Sequence, residues 1–181
     1  MKNNYLIGGL AIFLFFFPFI GYAIGPNTIE YSGRLVALPC TVHPDNDDTY
    51  VFFGHNINTK DQYTGKRGDY SDKEFSFKLE NCNVSLGKTI SAKFIGNSTV
   101  DGMLKLDAGS EASGIVIGLE TMSGQALPIN NTQVESIYPI KNGDLTITLR
   151  AYLKADANSL ANKSIKTGLF NATMTYILVY E

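Results

Sequence analysis

Apolar residues recur at every second position in several stretches of this chain, and the longest such run is its last one. Phe170, Ala172, Met174, Tyr176, Leu178 and Tyr180 alternate with Asn171, Thr173 and Thr175, and successive side chains of a strand point to opposite faces. Residues 168–181, opened by Gly168, therefore read as one long strand. Its second face turns apolar only at Ile177 and Val179, so burial is expected along one whole face and near the end of the other. The same period of two places Ile29, Tyr31, Gly33 and Leu35 on one side ahead of Cys40. It places Phe75, Phe77 and Leu79 ahead of Cys82, and Leu145, Ile147, Leu149, Ala151 and Leu153 on one face. Residues 89–95 alternate likewise, residues 50–54 read as a short buried strand and residues 103–106 as a short extended piece, and an apolar run at 114–119 is followed by Leu127 and Ile129.

Polar segments rich in turn residues separate these runs, at 43–48, 55–72 and 156–167. No stretch has a convincing period of 3.6. About seven to nine short strands with frequent turns predict an all-β sandwich. A terminal strand this long and apolar needs a partner on each edge, because unpaired N–H and C=O rows beside apolar side chains invite pairing with another chain.

The first 23 residues stand apart. Lys2 precedes an apolar core from Leu6 to Ile20, and Gly21-Tyr22-Ala23 is a small-x-small site, the layout of a secretory signal peptide. The apolar core is shorter than the ~20 residues a membrane-spanning helix requires, and Pro18 interrupts it. An exported chain meets an oxidising compartment, so Cys40 and Cys82, the two cysteines, are expected to form a disulfide. The rest has the length of one domain.

Net charge is −2, with 15 basic against 17 acidic residues. No basic surplus argues for nucleic acid or an anionic membrane. The two histidines, His43 and His55, lie in polar surroundings, and the carboxylates Asp45, Asp47, Asp48, Asp61, Asp69 and Asp72 fall in loops. No nucleophile elbow, phosphate loop or His-Glu-x-x-His helix occurs. Nothing points to catalysis, a cofactor, a metal or a small-molecule substrate.

Penultimate Tyr180, Gly168 fourteenth from the end and the alternating residues between them resemble the C-terminal motif of chaperone–usher fimbrial (pilus) subunits, of the type 1 and P pilus kind. The N-terminal part is similar too: alternating apolar residues, Gly33 seven places before Cys40, and Pro39 directly before that cysteine. The resemblance implies an incomplete immunoglobulin-like β-sandwich, residues 37–181, that is completed by a donated strand. It implies a signal peptide at 1–23 and a donor-strand extension at 24–36. Ile29, Tyr31, Gly33 and Leu35 would be the donated side chains, with polar Asn27 outermost. Gly168, Phe170, Ala172, Met174, Tyr176, Leu178 and Tyr180 would line the acceptor groove. The implied partners are a periplasmic pilus chaperone, an outer-membrane usher and neighbouring pilus subunits, and the implied location is a surface fimbrium reached through the periplasm. Leu38-Pro-Cys-Thr-Val42 resembles tip adaptors more than rod pilins. A major rod pilin, a terminating or anchoring subunit, and a free-standing secreted immunoglobulin-like binding module are the alternatives.

Overall fold

The computed structural model describes residues 29–44, 49–64, 72–131 and 136–181. The predicted signal peptide, Asn27 and the carboxylates Asp45, Asp47, Asp48 and Asp69 lie outside them. The chain divides into two units, Met1–Leu35 and Val36–Glu181. Of the first, residues 29–35 are described; they carry no regular secondary structure and every one is exposed.

Val36–Glu181 holds eight strands among its described residues: β1 (Thr41–Val42), β2 (Lys73–Cys82), β3 (Thr89–Gly96), β4 (Leu104–Lys105), β5 (Ile115–Thr121), β6 (Ser136–Pro139), β7 (Gly143–Ala155) and β8 (Met174–Tyr180). They form a five-stranded sheet ordered β1-β2-β7-β5-β4 and a three-stranded sheet ordered β6-β3-β8. Every pairing is antiparallel. Alternation decides what faces inward. Phe75, Phe77 and Leu79 of β2, Ile147, Leu149, Ala151 and Leu153 of β7, and Ile90, Ala92 and Phe94 of β3 make one continuous core.

The apolar run at 114–119 does not alternate because β5 is covered on both faces, as sheets covered on two sides require. Ile117 and Leu119 face the core, while on the outer face the Tyr152 ring lies over Gly118, where an added Cβ would come within 2.2 Å of it. Beside it the buried Glu120 carboxylate accepts a hydrogen bond from Arg150 at 3.1 Å.

The cysteines are disulfide-bonded and both are buried. Asn83 N donates to Pro39 O at 2.8 Å beside the bridge, so the segment entering β1 is fixed to the end of β2.

Several elements differ from the sequence pattern. Residues 50–54 are not a strand: Tyr50 and Phe52 are exposed, and Phe53 alone of the three aromatics is buried, its ring 6.2 Å from Phe170. Phe53 and the partly buried Val51 pack it against the core, and no sheet edge pairs with it among the described residues. Leu127 and Ile129 are buried but are held by single bonds to Leu119 O and Gly102 O rather than by a ladder. Two helical turns occupy predicted loops. In α1 (Thr59–Tyr63) Asn58 caps the N-terminus by accepting from Lys60 N at 2.9 Å. In α2 (Ala157–Asn162) Asp156 accepts from Ser159 N at 2.9 Å, and Lys163 in the left-handed region ends the helix. Helices of five and six residues are too short to show a period. The short β6 was not anticipated, because its inward positions are Ser136 and Tyr138, not an apolar pair.

Candidate functional site: the open edge of β8

The terminal segment is a strand only from Met174; residues 169–173 run extended along the loop 107–112 instead. β8 pairs with β3 from Gly96↔Met174 to Ile90↔Tyr180. Glu181 and Thr89 exchange both main-chain bonds, at 2.9 and 3.0 Å. Opposed residues of an antiparallel pair alternate between bonded and non-bonded rungs, so Val179, Ile177 and Thr175 also direct their main chain towards β3. The even-numbered residues direct theirs to the other edge. There, no strand is paired among the described residues.

The side chains of those even-numbered residues point into the sandwich and are only half-buried. The contrast appears rung by rung. Ile90 is 0% exposed, Ala92 2% and Phe94 3%, whereas the partners Tyr180, Leu178 and Tyr176 are all intermediate. All six face the same core, so the difference lies in what covers the outer flank of β8. Phe170, Ala172 and Met174 are also partly buried against the core. Phe170, Ala172, Met174, Tyr176, Leu178 and Tyr180 thus share one partly buried apolar face along the core, while Gly168 is exposed. The run from Phe170 to Tyr180 is about 33 Å long at ~3.3 Å per residue.

The outer face corrects one expectation. Burial was expected near the end of the second face, but Ile177 is 42% exposed and Val179 half-buried, because among the described residues of Val36–Glu181 no layer covers the outside of the three-stranded sheet. At the groove's end the Tyr180 hydroxyl is shielded and has no hydrogen-bond partner among the described residues. Burial, and after it neighbouring Tyr176, pushes its phenol above the ordinary value.

Gly168 opens the segment where a side chain would not fit. Its φ is +148°, and a Cβ there would meet Glu111 Cβ at 2.5 Å and Ala112 N at 3.1 Å. The loop it approaches was not singled out in the sequence, yet it bonds to the main chain of Leu169, Asn171 and Thr173. Asp107, Ser110 and Glu111 sit in a segment with turn residues and no period, so only the contacts reveal them.

Ile29, Tyr31 and Leu35 of the N-terminal unit are 70%, 89% and 100% exposed, and a Cβ on Gly33 would meet nothing within 4 Å. His43 lies 3.3 Å from Glu80, and the His55 ring stands edge-on to Phe52. Among the described residues no three His, Cys, Asp or Glu side chains gather as metal ligands would.

Two antiparallel sheets, one ending in an apolar strand with an uncovered flank, define an immunoglobulin-like sandwich that is incomplete. The chain belongs to the Fimbrial protein family, whose profile matches residues 29–181. It is 26% identical over 157 residues to the Fimbria A protein of Serratia marcescens, covering 87% of this chain and 86% of that one. It is 27% identical over 176 residues to the fimbrial adapter PapK of Escherichia coli, covering 94% and 97%. The solved P pilus rod subunit PapA has the same fold, with a TM-score of 0.66 at 17% identity over 80% of this chain and 100% of that one. The protein is thus a structural pilus subunit, which associates with neighbouring subunits in a surface fimbrium.

Proposed function

We propose that the groove along Phe170–Tyr180 accepts an extended strand lent by another polypeptide, and that residues 29–35 are lent in the same way to a neighbouring subunit. The observation that carries this is the rung-by-rung contrast between sealed β3 and half-buried β8. In strand addition, main-chain hydrogen bonds supply affinity, while alternate side chains seated in pockets set the register. The lender is first a periplasmic chaperone, then, at the outer-membrane usher, the extension of the next subunit.

The functional division in this reading is 1–23 as signal peptide, 24–36 as donor extension and 37–181 as pilin domain; the break between Leu35 and Val36, one residue from the last boundary, supports that boundary alone. Similarity to PapK along nearly its whole length supports an adapter position near the fibre tip. The site is an assembly surface and not a catalytic one.

Gly33 gives the test. It is the small member among Ile29, Tyr31 and Leu35, and glycine weakens a strand unless a close backbone approach requires it. Gly33→Ile is expected to leave this subunit's own fold intact, since a Cβ there has open space. In the acceptor groove it overpacks, weakening docking by ~1–3 kcal/mol. Peptides of residues 27–37, wild type and Gly33→Ile, are added to a chaperone-bound acceptor subunit and chaperone release is followed. Equal release by both peptides would show that Gly33 has no part in docking.

A further inference from the structure

β3 ends at Gly96, opposite Met174, so beyond that rung no strand holds the groove-forming segment from behind. Side chains hold it instead. The alternate amides of Leu169, Asn171 and Thr173 donate to Glu111 Oε2 at 3.2 Å, Ser110 Oγ at 3.0 Å and Asp107 Oδ1 at 3.2 Å. Thr173 Oγ1 donates to the second Asp107 carboxylate oxygen at 2.8 Å. The carbonyls are matched too: Leu169 O accepts from Glu111 N at 2.8 Å, and Asn171 O accepts from Asp107 N at 2.8 Å and from Ser110 Oγ at 3.0 Å. These contacts turn the main chain of odd-numbered residues towards the loop, in the same phase in which Thr175, Ile177 and Val179 face β3. Consequently Phe170 and Ala172 turn their N–H and C=O groups to the same open edge as Met174, Leu178 and Tyr180.

We infer that Asp107, Ser110 and Glu111 are positioning residues for strand docking: they act as a surrogate strand that extends the acceptor edge by two rungs beyond the end of β3. The groove then has six alternate positions, four backed by a sheet and two, Phe170 and Ala172, backed by loop side chains. The strand it fits is long enough to span both parts, and residues 27–37 of a second copy have that length, with Asn27, Ile29, Tyr31, Gly33, Leu35 and Ala37 as alternate members. This inference rests on the strand-accepting reading above.

Residues 24–181 are refolded from denaturant in the presence of a peptide of residues 27–37 or a peptide of residues 27–33, which in an antiparallel pairing with the groove lacks the two members that would face Ala172 and Phe170, and the dissociation rate of each complex is measured together with amide exchange. The wild type is expected to hold the longer peptide roughly tenfold or more longer, the sum of the added main-chain bonds, and to protect the Phe170 and Ala172 amides. The Asp107→Ala/Ser110→Ala variant is expected to lose that advantage and that protection while holding the shorter peptide as the wild type does, which shows that its fold and β8 are intact. Asp107→Asn keeps an acceptor for Thr173 N and should retain the length advantage. If the double variant keeps the full advantage, or the wild type shows none, the surrogate-strand inference is overturned. If the wild type holds neither peptide, the strand-accepting reading fails and this inference with it.

Discussion

Phe77→Ala is expected to destabilise the folded domain by about 3–5 kcal/mol, the usual range for emptying a buried phenylalanine site. The upper part of that range applies because Phe77 bridges the two sheets. It lies on β2 with 1% exposure, and its ring centroid is 4.2 Å from Tyr176 of β8, 5.6 Å from Phe75 and 6.5 Å from Phe94 of β3. Removing the ring opens a cavity between the sheets and deprives Tyr176 of the surface it packs on, besides the aromatic pair contributions of ~0.5–1.5 kcal/mol each. The check is urea unfolding of a chain whose own donor sequence, residues 27–37, is appended after Glu181, so that an unfolding midpoint can be read. Tyr31→Ala at the original position is the control: with 89% of Tyr31 exposed, no change is expected. A loss below ~1 kcal/mol for Phe77→Ala would mean that the two sheets are not joined through this ring.

The second large effect concerns the disulfide. Cys40 and Cys82 are 42 residues apart in sequence, and closing a loop of that size stabilises by roughly 4 kcal/mol in the chain-entropy model. That is a large part of a typical domain's ~5–15 kcal/mol. The Cys40→Ala/Cys82→Ala variant of the same appended chain is therefore expected to unfold at a much lower urea concentration. Local loss adds to the chain term, because both sulfurs are buried among core residues. An unchanged midpoint would contradict the assignment of this stabilisation to the bridge.

The strands that carry most of the core were legible. In β2, β3 and β7 one face is apolar and the other polar, so period two announces both the element and its inward residues. β5 was legible as an apolar run, though its cause, the Tyr152 ring over Gly118, belongs to tertiary packing and leaves no local sign. The terminal run showed which residues face inward, Phe170 to Tyr180, but alternation is silent about what covers them. It also suggested one continuous strand, whereas β3 is eight residues long and stops pairing at Met174. How far a ladder extends is set by the partner strand, and the partner's end at Gly96 is not written in the terminal segment. The loop carrying Asp107, Ser110 and Glu111 was illegible for the same reason, since polar turn residues look alike whether they meet solvent or another segment's amides. The two short helices show the limit of length: a single capped turn has too few residues for a period of 3.6 to emerge.

Strand acceptance, as proposed, requires the flank of β8 to stay unfilled until another chain fills it. The most direct measurement compares residues 24–181 produced alone in the periplasm with the same chain carrying residues 27–37 appended after Glu181. An apolar groove about 33 Å long, beside main-chain groups that seek a strand, is a site for aggregation. The chain alone is therefore expected to be degraded, insoluble or polymeric, and the appended chain to be a soluble monomer with a cooperative unfolding transition. A soluble monomer from the chain alone, at ordinary yield and with its own cooperative transition, would contradict an incomplete fold and identify a self-sufficient sandwich.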